Sequence, residues 1–108
     1  MKKNELKIPS FKREDCKIGI VHLGAGNFHR AHQALYINDY LNQTDDLNWG
    51  ICAINLRKEE QKNFDYLSNR KGKYILKTIS TSGDIKYNEI HSILNLIDWS
   101  KDLSLIHI

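Results

Sequence analysis

The stretch Lys17-Ile18-Gly19-Ile20-Val21-His22-Leu23-Gly24-Ala25-Gly26-Asn27-Phe28-His29-Arg30-Ala31-His32-Gln33 decides how the rest of the chain is read. Lys17 to Leu23 is a short apolar run that stops at Gly24. Such a run, bounded by turn residues, fits a strand buried on both faces, as in a parallel sheet. Gly24 to Asn27 form a turn, and no Gly or Pro occurs from Phe28 to Leu41. Phe28, Ala31, Leu35, Tyr36, Tyr40 and Leu41 are spaced along one face of a helix. After the polar connection Asn42 to Asn48, the run Trp49-Gly50-Ile51-Cys52-Ala53-Ile54-Asn55-Leu56 is a second apolar strand. Strand, Gly turn, helix, strand is the order of a βαβ unit, whose crossover is right-handed.

The Gly turn carries two of the three glycines of the fingerprint G-x-G-x-x-G, with His29 at the third place. The first glycine, Gly24, permits the tight turn from strand to helix. The second, Gly26, lets backbone approach a pyrophosphate with no Cβ in the way. The helix N-terminus adds unpaired N–H groups and the positive end of its dipole. A two-glycine turn also occurs where nothing binds; a buried strand before it and a helix after it favour phosphate binding. The expected fold is therefore α/β, part of a Rossmann-type doubly wound parallel sheet.

His29 and His32 share a helix face, the spacing of two metal ligands. A zinc site needs a third and a fourth ligand, and no nearby residue stands at a recognisable spacing for one. Arg30 between them repels a cation, so no metal is expected. At a helix N-terminus Arg30 works against the dipole unless an anion sits there. It reads either as a phosphate or substrate-anion contact or as a solvated surface residue.

Ile20 to Tyr36, with its run Gly-x-Gly-x-Phe-His-Arg-Ala-His, resembles the cofactor-binding start of the mannitol dehydrogenase family, and within it the fructuronate reductase (D-mannonate oxidoreductase) subgroup. Trp49-Gly50-Ile51-Cys52 and Asn55-Leu56-Arg57 resemble the second strand of the same family. The likeness covers about Lys17 to Leu56 and continues more loosely to about Leu94. It implies metal-independent hydride transfer between NAD(H) and a polyol or sugar acid, of the fructose/mannitol or fructuronate/mannonate type. It also implies a catalytic lysine in a later helical domain, so no catalytic residue is assigned within these 108 positions. The residues expected at the cofactor are Gly24, Ala25, Gly26, Asn27 and Phe28 at the phosphates, Arg30 nearby, and Asn55 or Arg57 at the adenosine ribose. His29 and His32 stand as supporting or substrate-side groups. The alternatives are a nucleotide-binding module, or an inactive remnant, without hydride chemistry.

The end of the second strand reads Ile54-Asn55-Leu56-Arg57-Lys58, with no carboxylate before Glu59. An Asp or Glu there normally faces the ribose hydroxyls and favours NAD. Asn55 can bond a hydroxyl and Arg57 a 2′-phosphate, so NADP stays open beside NAD.

Outside this unit the sequence says less. Met1 to Asp15 is polar and irregular, and residues 1–16 read as a lead-in to a cofactor domain over 17–108 that is incomplete at its C-terminal end. Glu59 to Ser68 fits a second helix with Phe64 and Leu67 inward. Tyr74 to Thr81 and Ile85 to Leu94 form a hairpin about Ser82-Gly83-Asp84. Ile93 to Ile108 has no clear assignment. A net charge of +3 is too small a bias to point to nucleic acid. No signal sequence or apolar run of membrane-spanning length is visible, and Cys16 and Cys52 read as reduced thiols, so a cytoplasmic location is expected. The partner expected for the whole protein is a small polyol or sugar acid, with neither nucleic acid nor membrane. The 108 residues alone are expected to be inactive and marginally stable.

Overall fold

In the computed structural model, residues 6–24 and 26–99 are described. The elements are β1 (Leu6–Lys7), β2 (Ile18–Leu23), α1 (Asn27–Ala31), α2 (Gln33–Gln43), β3 (Gly50–Asn55), α3 (Gln61–Asn69), β4 (Tyr74–Ile79), β5 (Ile85–Ile90) and β6 (Ile93–Asp98). Single 3₁₀ turns cover Arg13–Asp15 and Lys58–Glu60.

The strands form two three-stranded sheets. One runs β2-β3-β6, with both pairings parallel. The other runs β1-β5-β4, with β4 and β5 antiparallel and β1 parallel to β5. The βαβ reading is thus realised: β2 and β3 are parallel neighbours joined through α1 and α2. Every residue of β3 is buried, as its unbroken apolar run requires of a central strand.

The core gathers Ala34 from α2, Ile51 and Ala53 from β3, Phe64 and Leu67 from α3, Tyr74 and Ile90 from the hairpin, and Ile93 from β6. Buried polar pairs tie α2 to the β5–β6 connection. The Ser92 hydroxyl donates to the Ala34 carbonyl at 2.7 Å. The His91 N–H donates to Asn38 Oδ1 at 2.8 Å. These bonds satisfy groups that would otherwise be costly to bury.

Four expectations are corrected. First, β2 is not buried on both faces: Val21 and Leu23 are 62% and 63% exposed. Its residues are as apolar as those of β3, but it lies at the edge of the described sheet. Second, the helix is not continuous. It breaks at His32, whose backbone is distorted (φ −119°, ψ −79°), and the buried face of α2 is Ala34, Asn38 and Leu41. Tyr36 and Tyr40, expected inside, are exposed at 66% and 41%.

Third, Ile93 to Asp98 is a strand in its own right, so the expected return strand over Ile85 to Leu94 ends at Ile90. Fourth, the segment before β2 is not wholly irregular. Leu6–Lys7 pairs with β5, and the Arg13 guanidinium donates to the carbonyls of His91 (3.0 Å), Lys71 (2.6 Å) and Ile93.

Candidate functional site

The site lies where β2, β3 and β6 all end, on the C-terminal edge of the parallel sheet. Gly24 leaves β2 with φ +109°, a left-handed conformation that side-chain-bearing residues rarely adopt. Its N–H donates to the Ile54 carbonyl at 2.6 Å, which holds the turn against the end of β3. Around Gly26, a Cβ would meet no atom within 4 Å, so the turn leaves open space where the fingerprint demands it. The Arg30 N–H bonds the Gly26 carbonyl at 3.0 Å, which starts α1 directly from the turn. Ala25 lies outside the described residues. Asn27 and Phe28 open α1, and their side chains also lie outside what is described.

His29 fills the third glycine position. It is only 7% exposed, and its ring stacks on that of His22 with centroids 3.7 Å apart and planes 10° from parallel. Its Nε2–H donates to Gln33 Oε1 at 2.7 Å. That bond fixes the tautomer and leaves Nδ1 as a bare acceptor, with no hydrogen-bond partner among the described residues. Burial, and then the neighbouring His22, push the His29 pKa down to about 4 despite the bond to Gln33, so the ring is neutral at pH 7. His22, His29, Gly24, Gly26 and Tyr36 line a cleft of about 680 Å³ beside the turn. Among the described residues, no group of three or more His, Cys, Asp or Glu is placed to hold a metal ion.

The other expected residues are scattered. Arg30 turns towards the second sheet: its guanidinium lies over the Tyr74 ring, 5.9 Å from the centroid, and its carbonyl accepts the Tyr74 hydroxyl at 2.5 Å. It is half-buried rather than a solvated surface residue. Asn55 is 2% exposed at the end of β3. Its Oδ1 accepts the Arg57 N–H at 3.2 Å and its Nδ2 donates to Asp98 Oδ1 at 3.3 Å. The Arg57 side chain is exposed, 3.8 Å from Glu59 in a weak surface pair. The turn and Asn55 are therefore brought together, Arg57 stands just beyond them, and Arg30 points away. Sequence reasoning missed Asp98, because it closes a strand that had no assignment, and missed the stacking partner His22. The only signal for His22 was a polar residue inside an apolar run.

A parallel sheet with a Gly turn leading from strand to helix at its C-terminal edge is the dinucleotide-binding class of α/β fold. Residues 18–106 match the family model described as the mannitol dehydrogenase Rossmann domain, and the chain belongs to that family. It is 39% identical over 83 residues to D-arabinitol 4-dehydrogenase of Klebsiella pneumoniae, covering 77% of this chain and 18% of the relative. It is 41% identical over 75 residues to D-mannonate oxidoreductase of Escherichia coli, covering 69% and 15% respectively. Among solved structures it is similar to mannitol 2-dehydrogenase of Pseudomonas fluorescens, in ternary complex with NAD and D-mannitol. The TM-score is 0.85 at 32% identity, over 96% of this chain and 21% of that one. The chain thus spans about a fifth of the length of the relatives it matches.

Proposed function

We propose that residues 17–108 form the opening part of the NAD-binding domain of an oxidoreductase that moves a hydride between NAD(H) and a polyol or sugar acid. Residues 1–16 lead into that domain. The observation that carries this reading is the turn itself: Gly24 at φ +109°, pinned to β3, followed by open space at Gly26. That space fits a pyrophosphate approaching backbone N–H groups. The solved relative that holds NAD and D-mannitol supports the cofactor and the substrate class.

Gly24, Ala25, Gly26, Asn27 and Phe28 hold the phosphates on this reading. When bound, NAD supplies the hydride acceptor. The described residues bind and orient one end of it, and the groups that move the proton belong to the helical domain implied by the family. Arg30 serves this site indirectly, by fixing α1 to β4 through Tyr74. Two free cysteines, one of them buried, fit a reducing compartment and so a cytoplasmic location. No helix among the described residues is long and apolar enough to cross a membrane.

Replacing Gly26 with Val tests the reading. Because a Cβ at Gly26 meets nothing, the variant should fold as well as the parent while its side chain fills the space meant for phosphate. In the protein as its gene encodes it, calorimetry should show the NAD dissociation constant rising at least tenfold, about 1.4 kcal/mol. Unchanged affinity with an intact fold overturns the assignment of phosphate to this turn.

A further inference from the structure

The fingerprint G-x-G-x-x-G keeps its third glycine so that helix and strand can pack in direct contact. His29 occupies that place, and its ring does not swing out to solvent. It lies flat on the ring of His22, with centroids 3.7 Å apart and planes 10° from parallel. His22 stands on β2 two positions before Gly24, and His29 on α1 three positions after Gly26, so the two rings bracket the Gly turn. Ile20, two residues before His22 and so on the same face of β2, packs against the core that includes Ala34 of α2. The two rings are therefore the layer between the strand and α1.

Aromatic pairs left to themselves prefer an offset or edge-to-face arrangement, and centroids this close leave little room for offset. The contact is imposed by what surrounds it. On the helix side, the His29 Nε2–H donates to Gln33 Oε1 at 2.7 Å, which ties α1 to the first residue of α2 across the break at His32. On the strand side, the Gly24 N–H is bound to the Ile54 carbonyl of β3 at 2.6 Å. Burial lowers the pKa of His22, and burial followed by the neighbouring His22 holds that of His29 at about 4, so both rings are neutral at neutral pH and can touch face to face.

We infer that the His22–His29 stack replaces the third glycine: one ring thickness, in place of direct contact, sets the spacing of α1 from β2 and holds the turn open for the NAD pyrophosphate, with His22 and His29 as positioning residues. This rests on the dinucleotide reading above. A glycine at position 29 completes the fingerprint in sequence but lets α1 drop towards β2 and narrows the open space at Gly26. The same substitution thus has opposite consequences under the fingerprint rule and in this fold.

Calorimetry with NAD at pH 7.5, on the protein as its gene encodes it, separates the two, with urea denaturation of each variant as the check that it is folded. His29→Gly should raise the NAD dissociation constant at least tenfold. His22→Ala leaves the sequence of α1 untouched, and carries the test if His29→Gly does not fold; it should raise the constant at least fivefold. Combining the two should add less than twofold, because both remove one contact. His22→Phe with His29→Phe rebuilds a pair of flat rings without imidazole nitrogens and should return the affinity to within threefold of the parent. A His29→Gly protein that binds NAD as tightly as the parent, or more tightly, overturns the inference. So does a His22→Ala protein that is less stable yet binds NAD unchanged, the outcome of a merely structural role. A Phe pair no better than the single variants also overturns it, by assigning the effect to the nitrogens and not to ring thickness. The dinucleotide reading survives all three results as long as Gly26→Val weakens NAD. If the parent does not bind NAD, that reading falls and this inference with it.

Discussion

His29 shows how a single side chain couples the site to stability. The unfolded chain holds its histidine near pH 6.5 and the folded one near 4, so below 6.5 the unfolded state takes up more protons. Stability from this group is complete above about pH 6.5, declines as pH falls towards 4, and loses no more below that. At about 1.4 kcal/mol for each tenfold change in proton affinity, the full loss is on the order of 3 kcal/mol. Urea denaturation at pH 7 and pH 4.5 should show this slope in the parent and a clearly smaller one in His29→Gln. Equal slopes would mean that the ring already meets solvent in the folded state. Such behaviour was hidden in the sequence. The spacing of His29 and His32 gave only a shared helix face, with no metal expected there; burial, the stack on His22 and the bond to Gln33 arise only once α1 lies against β2. Gly24 and Gly26, by contrast, were readable directly, because their role rests on backbone geometry that the residue type itself dictates. Asn55 was placed in the last residues of its strand, read as running to Leu56, and it pairs with Asp98 of β6, a strand the sequence left unassigned.

The elements were readable in proportion to their punctuation. β3, α3 and the β4–β5 hairpin are bounded by Gly or by polar clusters, and each was found within a few residues. The boundary between β5 and β6 is only His91-Ser92, with neither Gly nor Pro, so the sequence runs the return strand on to Leu94 and leaves the second strand unassigned. The interruption between α1 and α2 likewise has no helix-breaking residue. It comes from the distorted backbone of His32, which sequence does not announce. The α3–β4 connection is punctuated and tight. Lys71 and Gly72 both have positive φ (55° and 83°), and the Gly72 N–H returns to the Leu67 carbonyl at 2.8 Å. A Cβ on Gly72 would come within 2.3 Å of the Ile93 carbonyl oxygen, part of the β6 backbone. Gly72→Ala therefore combines strain in φ with a backbone clash and should cost about 2–4 kcal/mol in chemical denaturation. Gly83→Ala, also at positive φ but with no atom within 4 Å of its Cβ, should cost less than half as much. Equal costs would show that φ strain, and not the packing of this connection on β6, sets the penalty.

Taken together, the described residues form two three-stranded sheets, and the parallel one has a covered central strand and an open edge strand. β3 is fully covered, while β2 presents an unpaired strand edge among the described residues, and Val21 and Leu23 on one face are largely exposed. Open apolar edges template association. The 108-residue chain expressed alone should self-associate with rising concentration in light scattering, over the micromolar to millimolar range where such edges meet. Val21→Lys with Leu23→Lys should reduce association while leaving the denaturation midpoint almost unchanged, since neither side chain is buried. A parent chain that stays monomeric throughout that range would contradict this account of the edge. The Arg13 clamp gives the same architecture a dimension in time. Arg13 and the Ile93 carbonyl it grips are 80 positions apart in sequence. A ribosome adding roughly 5–20 residues per second needs about 4–16 s to travel that far. Through that interval the newborn β2 has no β6 flanking β3, and the Arg13 clamp on His91, Lys71 and Ile93 stays incomplete. Synthesis speed over codons 14–93 thus sets how long the nascent chain depends on chaperones, and slowing translation there should raise the share captured by them.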